Sequence, residues 1–351
     1  MALLLVLLLI LPWLLIMGVA FRTLGSWIDG RRFPPPGRLV DIDSCRLHLN
    51  QQGASQPLVV LEAGIAATSI SWSLVQARLA EFSTVCSYDR AGLGWSELRR
   101  DRSVPCTLQH MLGELDALLR KAELVTPLFL VGHSFGGLLV RAFAHSHPER
   151  VAGLVLVDHI SLADWGRGSR TNADRIRAGV RLSRRGAILA RIGVVRVALS
   201  VLHAGGRWFP RHVAHAVARQ GTGLMESLAR EVVKLPRELH STVRAHWSRA
   251  KGFIAMAEYL EALPACAAAG LTMSVPANIP VTILSAGNAT ADELHERGTW
   301  AARSARGRHL QVPGTGHWLQ LERPDLIVAT VREMIEPTEQ FEAVVRWDSN
   351  C

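Results

Sequence analysis

Runs of consecutive apolar residues alternate along the chain with segments whose apolar residues recur every three or four positions. The runs predict buried strands, and the recurring pattern predicts amphipathic helices. The predicted strands lie within residues 45–53, 57–64, 84–94, 127–134, 152–158 and 279–287, and the predicted helices within 72–82, 107–124 and 137–151. Strands that are apolar throughout must be covered on both faces. The alternation therefore predicts an α/β fold with a mostly parallel sheet and helices on both faces.

The alternation stops near Ile160 and resumes at residue 279. The intervening stretch is helical in pattern, rich in arginine and without strand signals. We therefore expect a helical insertion over about 161–278 that caps the sheet. The core domain then covers residues 39–336, and residues 337–351 form a C-terminal tail.

The first 21 residues carry no charged side chain. About 20 apolar residues cross a hydrocarbon core of about 30 Å, so residues 1–21 are predicted to form a transmembrane anchor. A cleaved signal peptide is the alternative, although no Lys or Arg precedes the apolar run. Residues 22–38 are predicted to be an Arg- and Pro-rich linker, with a stiff spacer at 31–37. Its arginines favour a single-pass anchor with the catalytic domain in the cytoplasm, without settling the side.

The formal net charge of +9 has a local origin, because residues 161–210 hold ten arginines and two aspartates. We find no zinc-finger, RNP-type or helix-turn-helix signature there, so nucleic acid is not an expected partner. Within this stretch, residues 181–210 combine an apolar helical face with arginines, a composition typical of segments on anionic membrane surfaces. The alternative is a solvated basic helix whose apolar face packs on a core.

The sequence GHSFG at residues 132–136 matches the pattern G-x-S-x-G, between a predicted strand and a predicted helix. This context is that of a nucleophile elbow, where glycines allow a turn sharp enough to expose the Ser134 hydroxyl. The alternative is a small residue in a tight turn. A serine nucleophile needs a base. His317 fits, since it lies in a glycine-rich loop between a last strand and a final helix that starts near Pro324, at the same sheet edge as Ser134.

Five stretches together resemble the α/β-hydrolase superfamily, in particular membrane-anchored bacterial members: LEAG, SYDRAGLGWS, GHSFGG, VAGLVLVD and PGTGHWLQLERP. The resemblance runs from about residue 39 to 335 and implies an α/β-hydrolase fold with a cap. It assigns the nucleophile to Ser134 and the base to His317. It also implies an oxyanion hole made by the backbone N–H groups of Phe135 and, by position, Ile65. The glycine-rich stretch 89–96 is then a structural turn, since it lacks the Gly-Lys-Ser/Thr of a phosphate loop.

The acid of the predicted triad has two candidates. The family usually places it after the strand at 279–287, but the residues there are Gly287-Asn288-Ala289-Thr290. Asp292 follows two positions later, at the start of a predicted helix. Asp158 ends the predicted strand 152–158, where some members of the superfamily carry the acid. We favour Asp158, because a residue at a strand end is held rigidly; a capping role in the next turn is its alternative.

A serine nucleophile predicts acyl chemistry and argues against the dehalogenase and epoxide hydrolase branches, whose nucleophile is an aspartate. We expect a serine hydrolase that cleaves carboxylic esters through an acyl-enzyme on Ser134, with a lipophilic or lipid-derived ester as substrate. Amide or carbon–carbon bond hydrolysis, acyl transfer and a non-catalytic binding protein are the alternatives. No metal or organic cofactor is implied, and the sequence does not determine the oligomeric state.

Overall fold

The computed structural model describes residues 2–124, 127–203 and 231–336. The strands are β1 (Arg38–Asp41), β2 (Arg46–Gln52), β3 (Leu58–Glu62), β4 (Thr84–Tyr88), β5 (Leu128–His133), β6 (Val151–Val157), β7 (Val281–Ala286) and β8 (Gly307–Val312). Their order in the sheet is β1-β2-β4-β3-β5-β6-β7-β8. The pairs from β4 to β8 are parallel, and β2 runs antiparallel to β4. This is the predicted mostly parallel α/β sheet; β1 was not predicted.

Helices connect most of these strands. In chain order they are α1 (Ala2–Arg32), α2 (Ser73–Leu79), α3 (Leu108–Lys121), α4 (Phe135–Ser146), α5 (Leu162–Gly166), α6 (Arg170–Arg191), α7 (Val194–His203), α8 (Arg237–Trp247), α9 (Ala250–Leu271), α10 (Ala291–Ala301), α11 (Leu319–Glu322) and α12 (Pro324–Ile335). Within the described residues, α9 is the helix that is long and apolar enough, by length and composition, to cross a membrane. Of its most apolar stretch, 44% is buried, and a helix of this length and composition also occurs in protein cores.

The chain divides into two compact units. One of them, the sheet unit, comprises Leu49–Tyr88, Thr107–Gly168 and Pro264–Cys351. Its central strands are apolar and buried along their whole length, which explains their parallel pairing under helices on both faces. The main core lies between these strands and helices α2 and α12, and includes Val59, Leu61, Val131, Val155, Val75 and Val331. Parallel strands that end together bring the residues after β5 and β6 to one edge.

The other unit, called here the insertion unit, comprises Met1–His48, Asp89–Cys106 and Ser169–Leu263. It contains α1, α6, α7, α8 and the first part of α9. The described residues of the predicted insertion 161–278 are mainly helical, and 169–263 of it belongs to this unit. Residues 204–230, which include the end of the arginine-rich segment 181–210, and the predicted tail 337–351 lie outside the described residues.

Helix α1 extends beyond the predicted boundary at residue 21. It continues to Arg32, so residues 22–32 of the predicted linker 22–38 are helical. The prolines predicted to form a spacer follow the end of the helix, at 34–36. The helix continues because its second half has packing partners: α1 contacts α6 and α8 within the insertion unit.

Candidate active site

Ser134 occupies a sharp turn between β5 and α4. Its backbone lies at φ 55° and ψ −120°, a region that L-residues rarely adopt and that is associated with strain at functional sites. Close packing explains why residue 136, two positions after the serine, is glycine. A Cβ on Gly136 would lie 2.5 Å from the carbonyl oxygen of Glu62 and 2.6 Å from that of Ala63. The first turn of α4 therefore approaches the end of β3 backbone to backbone, and the serine is held at the tip of the turn.

The structure brings Ser134, His317 and Asp158 together in one hydrogen-bonded chain. The distance from Ser134 Oγ to His317 Nε2 is 3.0 Å, and that from His317 Nδ1 to Asp158 Oδ2 is 2.6 Å. Ser134 and Asp158 are buried, whereas the His317 side chain is 46% exposed. A serine, an imidazole and a carboxylate in this order can form and stabilise an alkoxide-like nucleophile.

The two candidate acids lie in different surroundings. Asp158 follows β6, and its backbone N–H donates to the carbonyl of Leu284 at 2.7 Å, so the sheet fixes its position. Asp292 is exposed in the first turn of α10. The carboxylate hydrogen-bonded to Nδ1 of His317 is that of Asp158.

Asp158 is buried, yet its surroundings favour the carboxylate form. Its Oδ1 accepts hydrogen bonds from Arg297 Nη1 at 2.7 Å and from the backbone N–H of Ala286 at 2.9 Å. Burial raises the pKa of this carboxyl, but the hydrogen bond with His317 and the positive charge of Arg297 outweigh it and lower the pKa to about 2. Asp158 is therefore ionised at neutral pH and can act as the negative partner of the His317 imidazole.

Arg297 is a residue of this site that sequence reasoning missed. Its guanidinium is buried and also donates to Ser285 Oγ at 3.1 Å and to the carbonyl of His159 at 2.5 Å. A capping box between Thr290 and Glu293 begins α10, the helix that carries it. No local motif marks Arg297, because its carboxylate partner is 139 positions away in the sequence.

His133, the residue before the serine, connects the elbow to the histidine loop. It is buried, its Nε2 lies 2.8 Å from the backbone carbonyl of His317, and its Nδ1 lies 3.2 Å from the side-chain amide nitrogen of Gln320. Burial, aided by repulsion from His317, lowers the pKa of His133 to about 3. The neutral ring thus donates through Nε2 and accepts through Nδ1, which fixes the loop that carries His317.

Of the two predicted oxyanion donors, Phe135 directly follows Ser134 in the chain, and Ile65 lies in the loop after β3. Phe135 is the first residue of α4, so its backbone N–H belongs to the N-terminal turn of that helix. The loop after β3 passes close to the serine, since a Cβ on Gly64 would lie 3.4 Å from Ser134 Cβ. The role of Ile65, the next residue in that loop, stays a prediction from its position.

The glycine-rich stretch 89–96 is a turn organised by Asp89. The Asp89 carboxylate accepts hydrogen bonds from the backbone N–H of Trp95 at 2.9 Å and from His48 Nδ1 at 3.0 Å, and Gly94 packs on it at φ 47°. The loop is therefore filled by its own side chain. In the part of the chain that the structure describes, no group of three or more His, Cys, Asp or Glu residues is arranged to hold a metal ion.

Comparison with known proteins agrees with this fold. A model of the alpha/beta hydrolase family matches residues 58–330. The chain is 36% identical over 130 residues to 2-hydroxymuconate semialdehyde hydrolase from Pseudomonas sp. (strain CF600), which covers 35% of this chain and 44% of that protein. The chain spans less than half the length of the curated relatives it matches.

Solved structures resemble the chain over most of its length. The epoxide hydrolase CorEH has a TM-score of 0.60 at 18% identity, covering 86% of this chain and 97% of the other. A thermophilic esterase from Thermogutta terrifontis has a TM-score of 0.57 at 20% identity, covering 83% and 93%. At these identities the likeness concerns the fold, and proteins with different substrates share it.

Proposed function

Since the chain belongs to the alpha/beta hydrolase family, we propose that it is a serine hydrolase that cleaves carboxylic esters through an acyl-enzyme on Ser134. The observation that carries this proposal is the chain of contacts Ser134–His317–Asp158, with distances of 3.0 Å and 2.6 Å. A serine at the elbow favours ester cleavage over epoxide opening, which in this family starts from an aspartate nucleophile.

The reaction follows from the direction of these hydrogen bonds. Ser134 Oγ attacks the ester carbonyl carbon while His317 Nε2 takes its proton, and ionised Asp158 stabilises the imidazolium through Nδ1. The carbonyl oxygen becomes an oxyanion, for which the backbone N–H groups of Phe135 and Ile65 are the proposed donors. His317 then protonates the departing alcohol. In the second half, His317 takes a proton from water, the hydroxide attacks the acyl-enzyme, and Ser134 recovers its proton with release of the acid.

The proposal is tested by hydrolysis of p-nitrophenyl esters of increasing chain length, with the full chain solubilised in detergent. We expect turnover by the wild type. Ser134→Ala should lose about 10⁴-fold or more in kcat, because it lacks the nucleophile. Asp158→Asn should lose about 10³–10⁴-fold, because the imidazolium loses its negative partner.

Asp292→Asn is the matched control, because it makes the same carboxylate-to-amide change at the other candidate acid, which is exposed. It should leave kcat unchanged. Equal activity of wild type and Ser134→Ala would overturn the assignment of the nucleophile. A larger loss in Asp292→Asn than in Asp158→Asn would overturn the assignment of the acid.

Carbon–carbon bond hydrolysis is the second candidate, because of the similarity to 2-hydroxymuconate semialdehyde hydrolase. The two candidates are separated by comparing kcat/KM for 2-hydroxymuconate semialdehyde with that for the best p-nitrophenyl ester. A higher value for the semialdehyde would replace the ester proposal. If Ser134→Ala loses both activities, the proposed roles of Ser134, His317 and Asp158 stand whichever substrate is preferred.

We further propose that α1 anchors the chain in a membrane and that the substrate is a lipophilic ester, such as a monoacylglycerol or lysolipid. The support is the absence of charged residues from Met1 to Phe21 and the length of α1, which at 31 residues extends about 46 Å. A preference for long acyl chains in the ester series would support the lipid substrate, and a preference for acetyl and butyryl esters would contradict it.

A further inference from the structure

Helix α1 packs on the insertion unit with its polar side. The residues of its second half that are partly covered lie at positions 18, 22, 25, 26 and 29, which share one face of a helix. They are glycine, serine, arginine and aspartate. The rest of the helix circumference exposes large apolar side chains, namely Val19, Phe21, Leu24, Trp27 and Ile28. A helix on the surface of a soluble globular protein has the opposite distribution: its apolar face packs on the core and its polar face meets solvent.

Close contacts fix this half of α1 in place. Gly18 approaches the backbone of Ile192 and Gly193 so closely that a Cβ on either glycine would clash with the opposite main chain. Further along, Arg196 forms an ion pair with Asp29 and donates to Ser248 Oγ at 2.9 Å. The side chains of Arg196 and Asp29 are only 12% and 13% exposed. The second half of α1 is thus packed against the other helices of the insertion unit and is not a free tether.

N-terminal to Gly18, the helix projects away from the rest of the insertion unit. Residues 12–17 are all exposed, and six consecutive residues cover every side of a helix with 3.6 residues per turn. Trp13, Leu14 and Met17 are 68%, 63% and 65% exposed. Another protein surface would cover one side of such a helix, whereas a bilayer covers all sides. The partner that fits is therefore the hydrocarbon region of a membrane.

The point of exit lies at the turn between α6 and α7, since Ile192 and Gly193 contact Gly18. One turn earlier on α6, Ile188 is 57% exposed. Arg184, Arg185 and Arg191 are exposed near it. An exposed apolar side chain among arginines suits the boundary between the acyl chains and anionic headgroups.

From this arrangement we propose that the α6–α7 turn is a second membrane contact, which inserts Ile188 among anionic lipids where α1 enters the bilayer. This inference rests on the proposed anchor and not on the proposed chemistry. It makes the insertion unit itself a membrane-bound element, held at a fixed depth by the contacts of Gly18 and Arg196.

The test uses a fluorescent label on Ile188→Cys in the full chain, with Cys106 and Cys351 replaced by serine. Arg177→Cys is the matched control, because it is exposed on the same face of α6 about three turns, or about 16 Å, from Ile188. Each protein is reconstituted in vesicles of phosphatidylcholine with phosphatidylglycerol as the minor lipid. Quenching by a nitroxide on the lipid acyl chain is compared with quenching by iodide in the buffer.

We expect the label at 188 to lose about half or more of its fluorescence to the lipid nitroxide, since interfacial apolar faces lie about 5–10 Å into the headgroup boundary. The label at 177 should be quenched by iodide instead. Iodide quenching at both positions, or lipid quenching at both, would overturn a contact at the turn. Protection of position 188 from both quenchers would mean that protein, such as a second copy of the chain, covers it instead of lipid, and would also overturn the proposal.

Two further measurements on the same samples separate the proposals. Failure of the chain to float with the vesicles would overturn both the anchor and this inference. Hydrolysis of a p-nitrophenyl ester in the same sample reports on the proposed chemistry. A protein that hydrolyses the ester without lipid quenching at 188 retains the proposed activity and loses the membrane contact at the turn.

Discussion

The candidate acid follows a different strand from the one that the family resemblance indicates. After β7, where the resemblance leads one to expect a carboxylate, the chain has Asn288, and the following helix α10 contributes Arg297. The proposed acid is Asp158 after β6; its Oδ2 faces His317, and its Oδ1 lies 2.7 Å from the Arg297 guanidinium. We interpret Arg297 as a positioning residue, which acts on the imidazole through the carboxylate.

Replacement of Arg297 by Met should move the acid limb of the pH profile of kcat/KM. The guanidinium neutralises part of the Asp158 charge; without it, the carboxylate stabilises the imidazolium of His317 more strongly. The acid limb should therefore move to higher pH. At the same time the pKa of Asp158 should rise from its value of about 2, because the positive charge that lowers it is gone.

Two variants separate this effect from loss of structure. Arg297→Lys restores a positive charge and should return the limb toward the wild-type position, even if kcat stays low. Arg306→Met makes the same chemical change at an exposed arginine and should leave the profile unchanged. If Arg297→Met lowers kcat equally at every pH without moving the limb, Arg297 only supports the structure.

At the scale of elements, local signals predicted most of the fold and the core of the site. The strand, turn and helix around Ser134 are marked within a dozen residues, and the loop of His317 is marked by its glycines. Contacts between distant segments left no local mark. Arg297 and Asp158 are 139 positions apart, and His133 and His317 are 184 apart, so only the folded chain brings them together.

The same reasoning explains why α1 extends beyond residue 21, where the predicted anchor ends. Hydropathy ends at Phe21, where the first arginine follows, and the three prolines after residue 33 suggest an extended linker. The residues between, 22–32, have too few apolar side chains to predict a core-facing helix. They are helical because Gly18, Gly25 and Asp29 fit against the insertion unit. A helix whose buried face is small and polar escapes a search for apolar periodicity.

At the scale of the whole molecule, stability should depend on pH through buried neutral histidines. His246 in the insertion unit is buried against Trp95, with ring centroids 4.4 Å apart, and neither ring nitrogen has a hydrogen-bond partner within the described residues. Burial lowers its pKa to about 3; Arg249, Lys251 and His48 act in the same direction, and Asp89 opposes them. Protonation of this ring thus favours the unfolded chain.

His246→Phe should reduce the loss of stability on acidification. Below its ordinary pKa, near 6.5, this histidine takes up a proton only in the unfolded chain, so the free energy of unfolding falls with pH from there to about pH 3. Between about pH 7 and about pH 5, this proton uptake lowers the free energy of unfolding by about 2 kcal/mol. Phenylalanine takes up no proton, so the variant should lack this loss. The measurement is the change in the urea midpoint between these two pH values, with the full chain in detergent.

The exposed His110 on α3 provides the control for this comparison. His110→Phe should keep the wild-type dependence on pH, because this side chain is exposed in the folded chain as it is in the unfolded chain. An unaltered change of midpoint in His246→Phe would mean that His246 is not a neutral buried group in the folded protein.

The central claim, that Ser134 is an activated nucleophile, is tested most directly by reaction with a fluorophosphonate followed by mass spectrometry of the intact chain and its peptides. Because the phosphonate reacts with an activated serine whatever the natural substrate is, the result does not depend on finding that substrate. We expect one adduct per chain, on Ser134, absent in Ser134→Ala, much slower in Asp158→Asn and unchanged in Asp292→Asn. A wild-type chain that takes no label, or takes it on another residue, would contradict the account and favour a binding protein with a hydrolase fold.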